Sequence, residues 1–215
     1  MMMMISRLKF LLLSMIILLC TNVIAQTTDF ATWTSIEFTH SFNKDLKFGF
    51  QQQLRLDEGS THFKSTFSDF NLGYDLNKHW SIAGAYRMIT TPLDLQHRFY
   101  GDVSYGHKFH KFSTTLRLRY QKQFEIANLP QNYIRPKIGL KYKYSKQIIP
   151  YSAFESGYRI YYKGSRFDFY RFYLGCEFNF SKHMGIDLYY LLTGEFNVND
   201  PTTTHVAGVN LAFDF

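Results

Sequence analysis

A short turn motif recurs five times along the chain at a nearly constant interval, and this repeat limits the fold more than any other feature. Each copy places one lysine between two apolar residues, and consecutive copies are 33 to 36 residues apart. The lysines are Lys44, Lys78, Lys111, Lys146 and Lys182. Neighbouring Asn, Asp and His residues suit the backbone of tight hairpin loops. The interval accommodates two strands of about 11–13 residues with one tight and one longer connection. The repeat therefore predicts a series of β-hairpins.

Longer polar connections alternate with these tight turns. They cover residues 57–64, 90–96, 125–132, 162–166 and 197–203. Short turns at one end of a sheet and longer loops at the other are typical of outer-membrane barrels, in which the short turns are periplasmic and the longer loops extracellular. The sequence predicts eleven strands, at approximately 29–42, 46–57, 64–76, 80–91, 97–109, 112–124, 133–144, 148–161, 167–180, 184–196 and 204–215.

Alternation divides each predicted strand into an apolar and a charged face. The apolar face includes Phe48, Phe50, Phe70, Leu72, Leu116, Leu118, Ile138, Leu140, Phe172, Leu174, Leu188 and Tyr190. Its charges are limited to Lys64, Lys122 and Asp168, near the long-loop ends. The opposite face carries Arg55, Asp69, Arg87, Arg98, Asp102, Arg117, Arg119, Arg135, Lys137, Glu155, Arg171, Glu177, Asp187 and Glu195. This alternation fits a membrane barrel, and it also fits a secreted soluble β-barrel that binds a ligand.

Aromatic residues favour the membrane alternative. Phenylalanine, tyrosine and tryptophan make up 19% of the chain. An interfacial girdle beside the tight turns is predicted from Trp80, Phe109, Phe112, Tyr144, Phe180 and Phe215. The last strand, with Val209, Leu211, Phe213 and Phe215 on one face, looks like the C-terminal signal that barrel-assembly machinery recognises. We therefore predict an all-β fold, a closed antiparallel transmembrane β-barrel of about 10–12 strands. Its predicted location is the outer membrane of a Gram-negative bacterium.

The N-terminal segment, residues 1–25, is predicted to be a removed signal peptide. Arg7 and Lys9 precede an apolar core from Phe10 to Leu19, which is too short to cross a bilayer. A lipoprotein signal through Cys20 is the weaker alternative, because Leu19 replaces the usual small residue. Residues 26–215 then form a single barrel domain with one cysteine, Cys176, so no intramolecular disulfide is expected.

The strand count raises a topological question. Bacterial barrels normally have an even number of strands, whereas the turns delimit eleven segments. Either residues 46–215 close ten antiparallel strands and 29–42 is accommodated in another way, or one segment is miscounted.

The tight turns also predict which residues face each other across four hairpins. Three hairpins match opposite charges on the inward face: Asp69 with Arg87, Asp102 with Arg119, and Lys137 with Glu155. The fourth sets two carboxylates, Glu177 and Asp187, opposite each other. Either basic residues on adjoining strands neutralise them, or they form a cation or substrate site.

A basic sector is predicted on three neighbouring strands of the lumen. Its members are Arg98, Arg117, Arg119, Arg135 and Lys137. The sector either favours small anionic solutes or fills the lumen through ion pairs with Asp102 and Glu155. A filled lumen or a narrow pore is the favoured interpretation.

Four stretches of the chain resemble a known family. They are "TWTSIEF" with Trp33, "RLRYQKQFE" at 117–125, "YIRPKIGLKY" at 133–142 and "HVAGVNLAFDF" at 205–215. Together they resemble Bacteroidetes-type outer-membrane barrels catalogued as domain of unknown function 2490. The resemblance implies a location and a fold, and it brings no reaction and no catalytic residues.

Other functions receive little support from the sequence. We predict no enzyme, no cofactor and no metal site. The pair His40 and Ser41, which suggests a lipid-modifying enzyme, points to opposite faces of a strand. Loss of Arg7 and Lys9 with the signal peptide lowers the formal charge from +7 to about +5, which is too mild and scattered to indicate nucleic acid. Expected partners are outer-membrane lipid, the barrel-assembly machinery and a small anionic solute. Binding of an extracellular ligand by the long loops is a further alternative.

Overall fold

The computed structural model describes residues 27–126, 128–161 and 164–215, which form eleven β-strands. The predicted signal peptide lies outside the described residues. The strands are β1 (Thr27–Ser41), β2 (Leu46–Asp57), β3 (His62–Asp75), β4 (Trp80–Thr90), β5 (Leu95–Phe109), β6 (Phe112–Glu125), β7 (Asn128–Tyr142), β8 (Ile148–Ile160), β9 (Arg166–Asn179), β10 (Met184–Glu195) and β11 (Thr202–Asp214). No helix in these ranges is long and apolar enough to span a bilayer.

The eleven strands close into one barrel, which answers the question of strand number. Consecutive strands pair antiparallel, and β1 pairs with β11 in parallel. An odd number of up-and-down strands returns the last strand in the direction of the first, so one pair must be parallel. The predicted closed antiparallel barrel is confirmed, and β1 with β11 is its one parallel pair among the described strands. At the junction of β1 with β11, the amide of Ser41 donates to the carbonyl of Phe215 (2.9 Å). The amide of Phe215 donates to the carbonyl of Thr39 (2.8 Å).

In three of the five tight turns, a side-chain oxygen accepts hydrogen bonds from two backbone amides. Asn43 Oδ1 accepts from Asp45 (2.9 Å) and Leu46 (2.8 Å), and Asn77 makes the same pair of contacts in the next copy. Ser145 Oγ acts in the same way. Such local bonds replace backbone bonds in a tight loop and fix its length. All four predicted hairpin registers are found, including Asp69 opposite Arg87 and Glu177 opposite Asp187.

Burial is inverted relative to a water-soluble protein. Large apolar side chains on the outer wall are exposed, among them Leu72, Leu118 and Leu174 at 49–57%. Charged side chains on the inner wall are buried, with Glu155 at 1% and Asp69 at 2%. A continuous apolar belt around a charged interior is the arrangement that hydrocarbon requires. The apolar face therefore points outward, and the fold is a transmembrane β-barrel.

One charge lies on the opposite face from the predicted one. A β-bulge between Gly157 and Tyr158 shifts the register of β8 with β9. Asp168, predicted on the apolar face, is instead buried at 4% exposure, and its carboxylate accepts a 2.8 Å hydrogen bond from the hydroxyl of Tyr133. The inserted residue changes the alternation locally, and a period-2 pattern does not reveal it.

Candidate functional site: the charged lumen

Basic side chains outnumber carboxylates in the middle of the lumen. The basic residues are Arg55, Arg87, Arg98, Arg117, Arg119, Arg135, Lys137 and Arg171. The carboxylates on the inner wall beside them include Asp69, Asp102 and Glu155, and Glu37 lies in the same cross-strand row as Asp69. The strand register places several cations directly opposite each other, such as Arg87 with Arg98 and Arg119 with Arg135. Like charges in direct opposition destabilise a sheet, so the carboxylates and the aromatic rings decide how the cluster is held together.

Glu155 is the carboxylate with the most basic neighbours. Arg135 binds its Oε1 through Nε (2.6 Å) and Nη2, and Arg117 Nη2 lies 3.1 Å from its Oε2. Arg135 also donates to Gln121 Oε1 at 2.7 Å. Lys137 lies opposite Glu155 in the register, yet its ammonium makes no ion pair within 4.0 Å and sits 4.3 Å above the Tyr173 ring. The predicted opposition is correct, but the side chains that bind Glu155 come from other positions.

Two further carboxylates hold one arginine each. Arg119 makes a two-bond contact with Asp102, with both distances 2.7 Å. Arg87 Nε lies 2.5 Å from Asp69 Oδ2, and the hydroxyl of Tyr100 donates to the same carboxylate. The guanidinium of Arg119 in turn lies 3.7 Å from the centre of the Tyr100 ring. These pairs tie β3, β4, β5 and β6 together across the inner wall.

Four lumen cations have no carboxylate within 4.0 Å in the part of the chain that the structure describes: Arg55, Arg98, Lys137 and Arg171. Arg98 donates twice to Gln123 Oε1. Arg55 donates to Gln53 and stacks 3.9 Å above the Trp33 ring. Arg171 lies between the rings of Trp33 and Phe169, at 5.8 and 5.0 Å, and its Nε is buried without a hydrogen-bond partner among the described residues. Aromatic faces attract Arg55, Lys137 and Arg171, a neutral amide holds Arg98, and neither kind of partner cancels the positive charge.

The lumen is narrow at the depth of this cluster. The side chains of Arg87, Asp102 and Arg119 are 11–12% exposed, and Arg135 is 6% exposed. Side chains of a small barrel fill much of its interior, and these interdigitate from several strands. Any solute that crosses the barrel must therefore contact the arginines directly.

The two facing carboxylates lie closer to the short turns, and each has its own partner. Lys141 donates to Glu177 at 2.5 Å, and the Tyr151 hydroxyl donates to Asp187 at 2.9 Å. Asp187 Oδ1 is buried without a hydrogen-bond partner among the described residues. Glu177 is thus neutralised by a base, whereas Asp187 is held by a neutral phenol.

The remaining sequence-predicted residues lie on the outer wall. Phe213 stacks on Phe38 with ring centres 5.4 Å apart, and Phe215 is 64% exposed beside the short turns. Recognition of Val209, Leu211, Phe213 and Phe215 by assembly machinery stays a prediction. His40 packs edge-on against Phe42 at 5.0 Å, where it is exposed.

Sequence reasoning placed Arg55 and Arg171 on the inward face but left them out of the basic sector. They lie on β2 and β9, away from the three strands of that sector, and the rings of Trp33, Phe67 and Phe169 connect them to it. The sequence pattern that indicates their membership of the basic cluster is an inward arginine next to inward aromatic residues on a neighbouring strand.

The closed barrel, its apolar belt and its charged, narrow interior define a transmembrane β-barrel with porin-like architecture. The chain belongs to the family described as "Protein of unknown function (DUF2490)", whose sequence model matches residues 30–204. No curated protein sequence matches it.

Two solved structures share the fold at low sequence identity. The NanC porin in a rhombohedral crystal form has a TM-score of 0.58 and 9% identity, over 87% of this chain and 99% of that chain. The KdgM porin in complex with disordered oligogalacturonate has a TM-score of 0.51 and 14% identity, over 86% and 96% of the two chains.

Proposed function

We propose that this protein is a narrow outer-membrane pore for small anionic solutes. The observation that carries the proposal is the set of four lumen cations without a carboxylate partner, Arg55, Arg98, Lys137 and Arg171. A ring of uncancelled positive charge in a constriction attracts anions and repels cations. The ion pairs of Glu155, Asp102 and Asp69 keep the remaining arginines in place around the passage.

The structural comparisons agree with this proposal. Both similar structures are porins, and one of them was solved with oligogalacturonate, whose sugar units carry carboxylates. We extend to this chain only the general class, a small solute with negative charge. We also propose a non-catalytic role and a location in the outer membrane of a Gram-negative, Bacteroidetes-type bacterium, as the family resemblance implies.

Fractionation tests the location. The full chain is expected in the outer-membrane fraction, with faster gel migration before heating than after, because folded barrels resist detergent until heated. A protein recovered from the periplasm without such a band shift would contradict the location. If the protein is found in the outer-membrane fraction but forms no conducting pore, the proposed location stands and only the proposed transport role is contradicted.

Planar bilayer recordings test the pore. We expect small channels that pass chloride in preference to potassium, measured as a reversal potential in a salt gradient. Because Arg98 and Lys137 lack carboxylate partners, the double variant Arg98→Gln/Lys137→Gln should lower the anion-to-cation permeability ratio by about fivefold or more. Lys64→Gln removes one charge at the outer rim and should leave the ratio unchanged. An absence of channels at any voltage would favour the filled lumen instead.

A further inference from the structure

The outer wall of β5 and β6 contains a notch that opens toward the hydrocarbon. Gly101 and Gly84 lie opposite each other on β5 and β4 and present no side chain there. A Cβ atom at Gly84 would meet nothing within 4 Å, and one at Gly101 would meet only the Ala83 carbonyl at 3.8 Å. The cavity beside Gly101 has a volume of about 480 Å³. It is lined by Ala85, Phe99, Tyr100, Gly101, Tyr120, Lys122 and Phe124.

The notch reaches the outer edge of the apolar belt. Lys122 lies ten residues beyond Phe112 on β6, and Phe112 belongs to the aromatic girdle at the short turns. Ten residues of strand rise about 33 Å along the strand. With a tilt of 35–45°, this corresponds to roughly 25 Å across the membrane, the full height of the apolar belt. Lys122 is therefore level with lipid headgroups on the long-loop side, and Gly101 lies below it at the level of acyl chains.

The cation at the top of the notch has no partner of its own. Lys122 makes no hydrogen bond or ion pair within the described ranges, and its Nζ lies 5.2 Å from the Phe124 ring centre. Two other polar residues near the long-loop ends of the strands are paired. Lys64 lies 3.3 Å from Asp57, and Gln52 bonds to Thr66 and Ser68. An unpartnered ammonium above an apolar notch is complementary to an anionic headgroup with an acyl chain.

Neutral polar groups flank Lys122 at the same height. The Tyr120 hydroxyl donates to Asn132 Oδ1 at 3.3 Å, and Asn132 lies directly opposite Lys122 in the sheet. Tyr86 Oη and His97 Nδ1 lie 2.7 Å apart on the other side of Phe99. These groups supply additional donors to a phosphate without introducing a competing carboxylate.

We propose that this notch is a binding site for an anionic lipid that carries a phosphate group, and phosphatidylglycerol serves as the probe for it. Lys122 binds the phosphate, with Asn132 beside it, and one acyl chain occupies the space over Gly101. The site faces the bilayer and does not depend on conduction through the lumen, so it stands independently of the proposed pore.

Lipid retention by the full, refolded barrel tests the proposal. The protein is equilibrated with vesicles of equal parts phosphatidylglycerol and phosphatidylcholine, extracted gently, and analysed for bound lipid by native mass spectrometry. We expect one phosphatidylglycerol to be retained in preference to phosphatidylcholine. Lys122→Gln should reduce that preference about fivefold, which corresponds to the attraction of one basic residue for an anionic surface. Gly101→Leu should reduce retention of both lipids by filling the notch.

Lys64→Gln is the matched control, because it removes a charge at a similar height that is already paired with Asp57. Gly84→Leu, which fills the same notch from the neighbouring strand, replaces Gly101→Leu if that variant does not fold. Equal retention in the wild type, Lys122→Gln and Lys64→Gln would overturn the proposal. Loss of bound lipid on addition of inorganic phosphate would also overturn the proposal, because it would indicate a site for a free ion. A dimer that Gly101→Leu converts to a monomer would overturn it as well, because a second copy of the chain would then occupy the notch.

Discussion

Replacement of Glu155 by Gln is expected to lower the free energy of unfolding by about 3–5 kcal/mol. Glu155 is 1% exposed, and it is the carboxylate that binds both Arg135 and Arg117. Arg171 lies opposite it on β9. The substitution keeps the shape of the side chain but leaves buried guanidinium groups without a counter-charge. Removing one partner of a buried ion pair costs more than removing both.

Urea unfolding of the barrel refolded into vesicles measures this effect. Glu177→Gln is the control, since that carboxylate is 28% exposed and its partner Lys141 is 49% exposed. Its loss should cost less than about 1 kcal/mol. Adding Arg135→Gln to Glu155→Gln should restore part of the lost stability, and the double-mutant cycle gives the coupling. If the free energy of unfolding of Glu155→Gln lies within about 1 kcal/mol of the wild-type value, the expectation is wrong, and water or solute ions screen the charges of the cluster.

Substitution of Gly208 by Ala is expected to destabilise the barrel by about 2–3 kcal/mol, toward the upper part of the range for overpacking. A Cβ atom at Gly208 would lie 2.0 Å from the Tyr189 ring. Gly208 is also opposite Trp33 in the parallel pair of β1 with β11, beside the buried cluster of Ala31, Leu191 and Val206. Because the ring packs against this cluster on the inner wall, a shift that makes room for the new methyl group disturbs the packing beside the closing strands.

The temperature at which the folded gel band is lost reports this change. Gly73→Ala serves as the comparison, because a Cβ there would approach only the Ile82 carbonyl, at 4.0 Å. Gly73→Ala should lose its folded gel band at the same temperature as the wild type. Tyr189→Ala in the background of Gly208→Ala should recover part of the difference by removing the ring. If Gly208→Ala and Gly73→Ala melt at the same temperature, the inferred contact with Tyr189 is wrong.

Local chemistry explains why strands, faces and registers were predictable. The turn residues Asn43, Asn77 and Ser145 set loop lengths through bonds within four residues, and alternation follows from strand geometry alone. Both signals are contained in short stretches of sequence. The parallel pairing of β1 with β11 is not, because it depends on the number of strands in the closed barrel. The bulge that turns Asp168 inward likewise leaves no mark in the alternation.

The contacts of the lumen were less predictable, for a geometric reason. The interior is concave, so side chains from strands that are not neighbours meet across it. Arg117 on β6 reaches Glu155 on β8, Tyr100 on β5 reaches Asp69 on β3, and Tyr151 on β8 reaches Asp187 on β10. Predictions from the register of a hairpin concern only residues on adjacent strands. They place Lys137 opposite Glu155 and do not anticipate that two arginines bind that carboxylate instead.

The parallel junction between β1 and β11 also fixes where the two ends of the barrel chain emerge. Thr27 pairs with Thr202 at the long-loop rim, and Thr39 pairs with Asp214 at the short-turn rim, so residues 27 and 215 lie on opposite sides of the bilayer. The thirteen paired positions between them span about 40 Å of strand. A circular permutant that joins these residues therefore needs a linker of about a dozen extended residues threaded through the interior, whereas an even-stranded barrel can be permuted with a short surface loop.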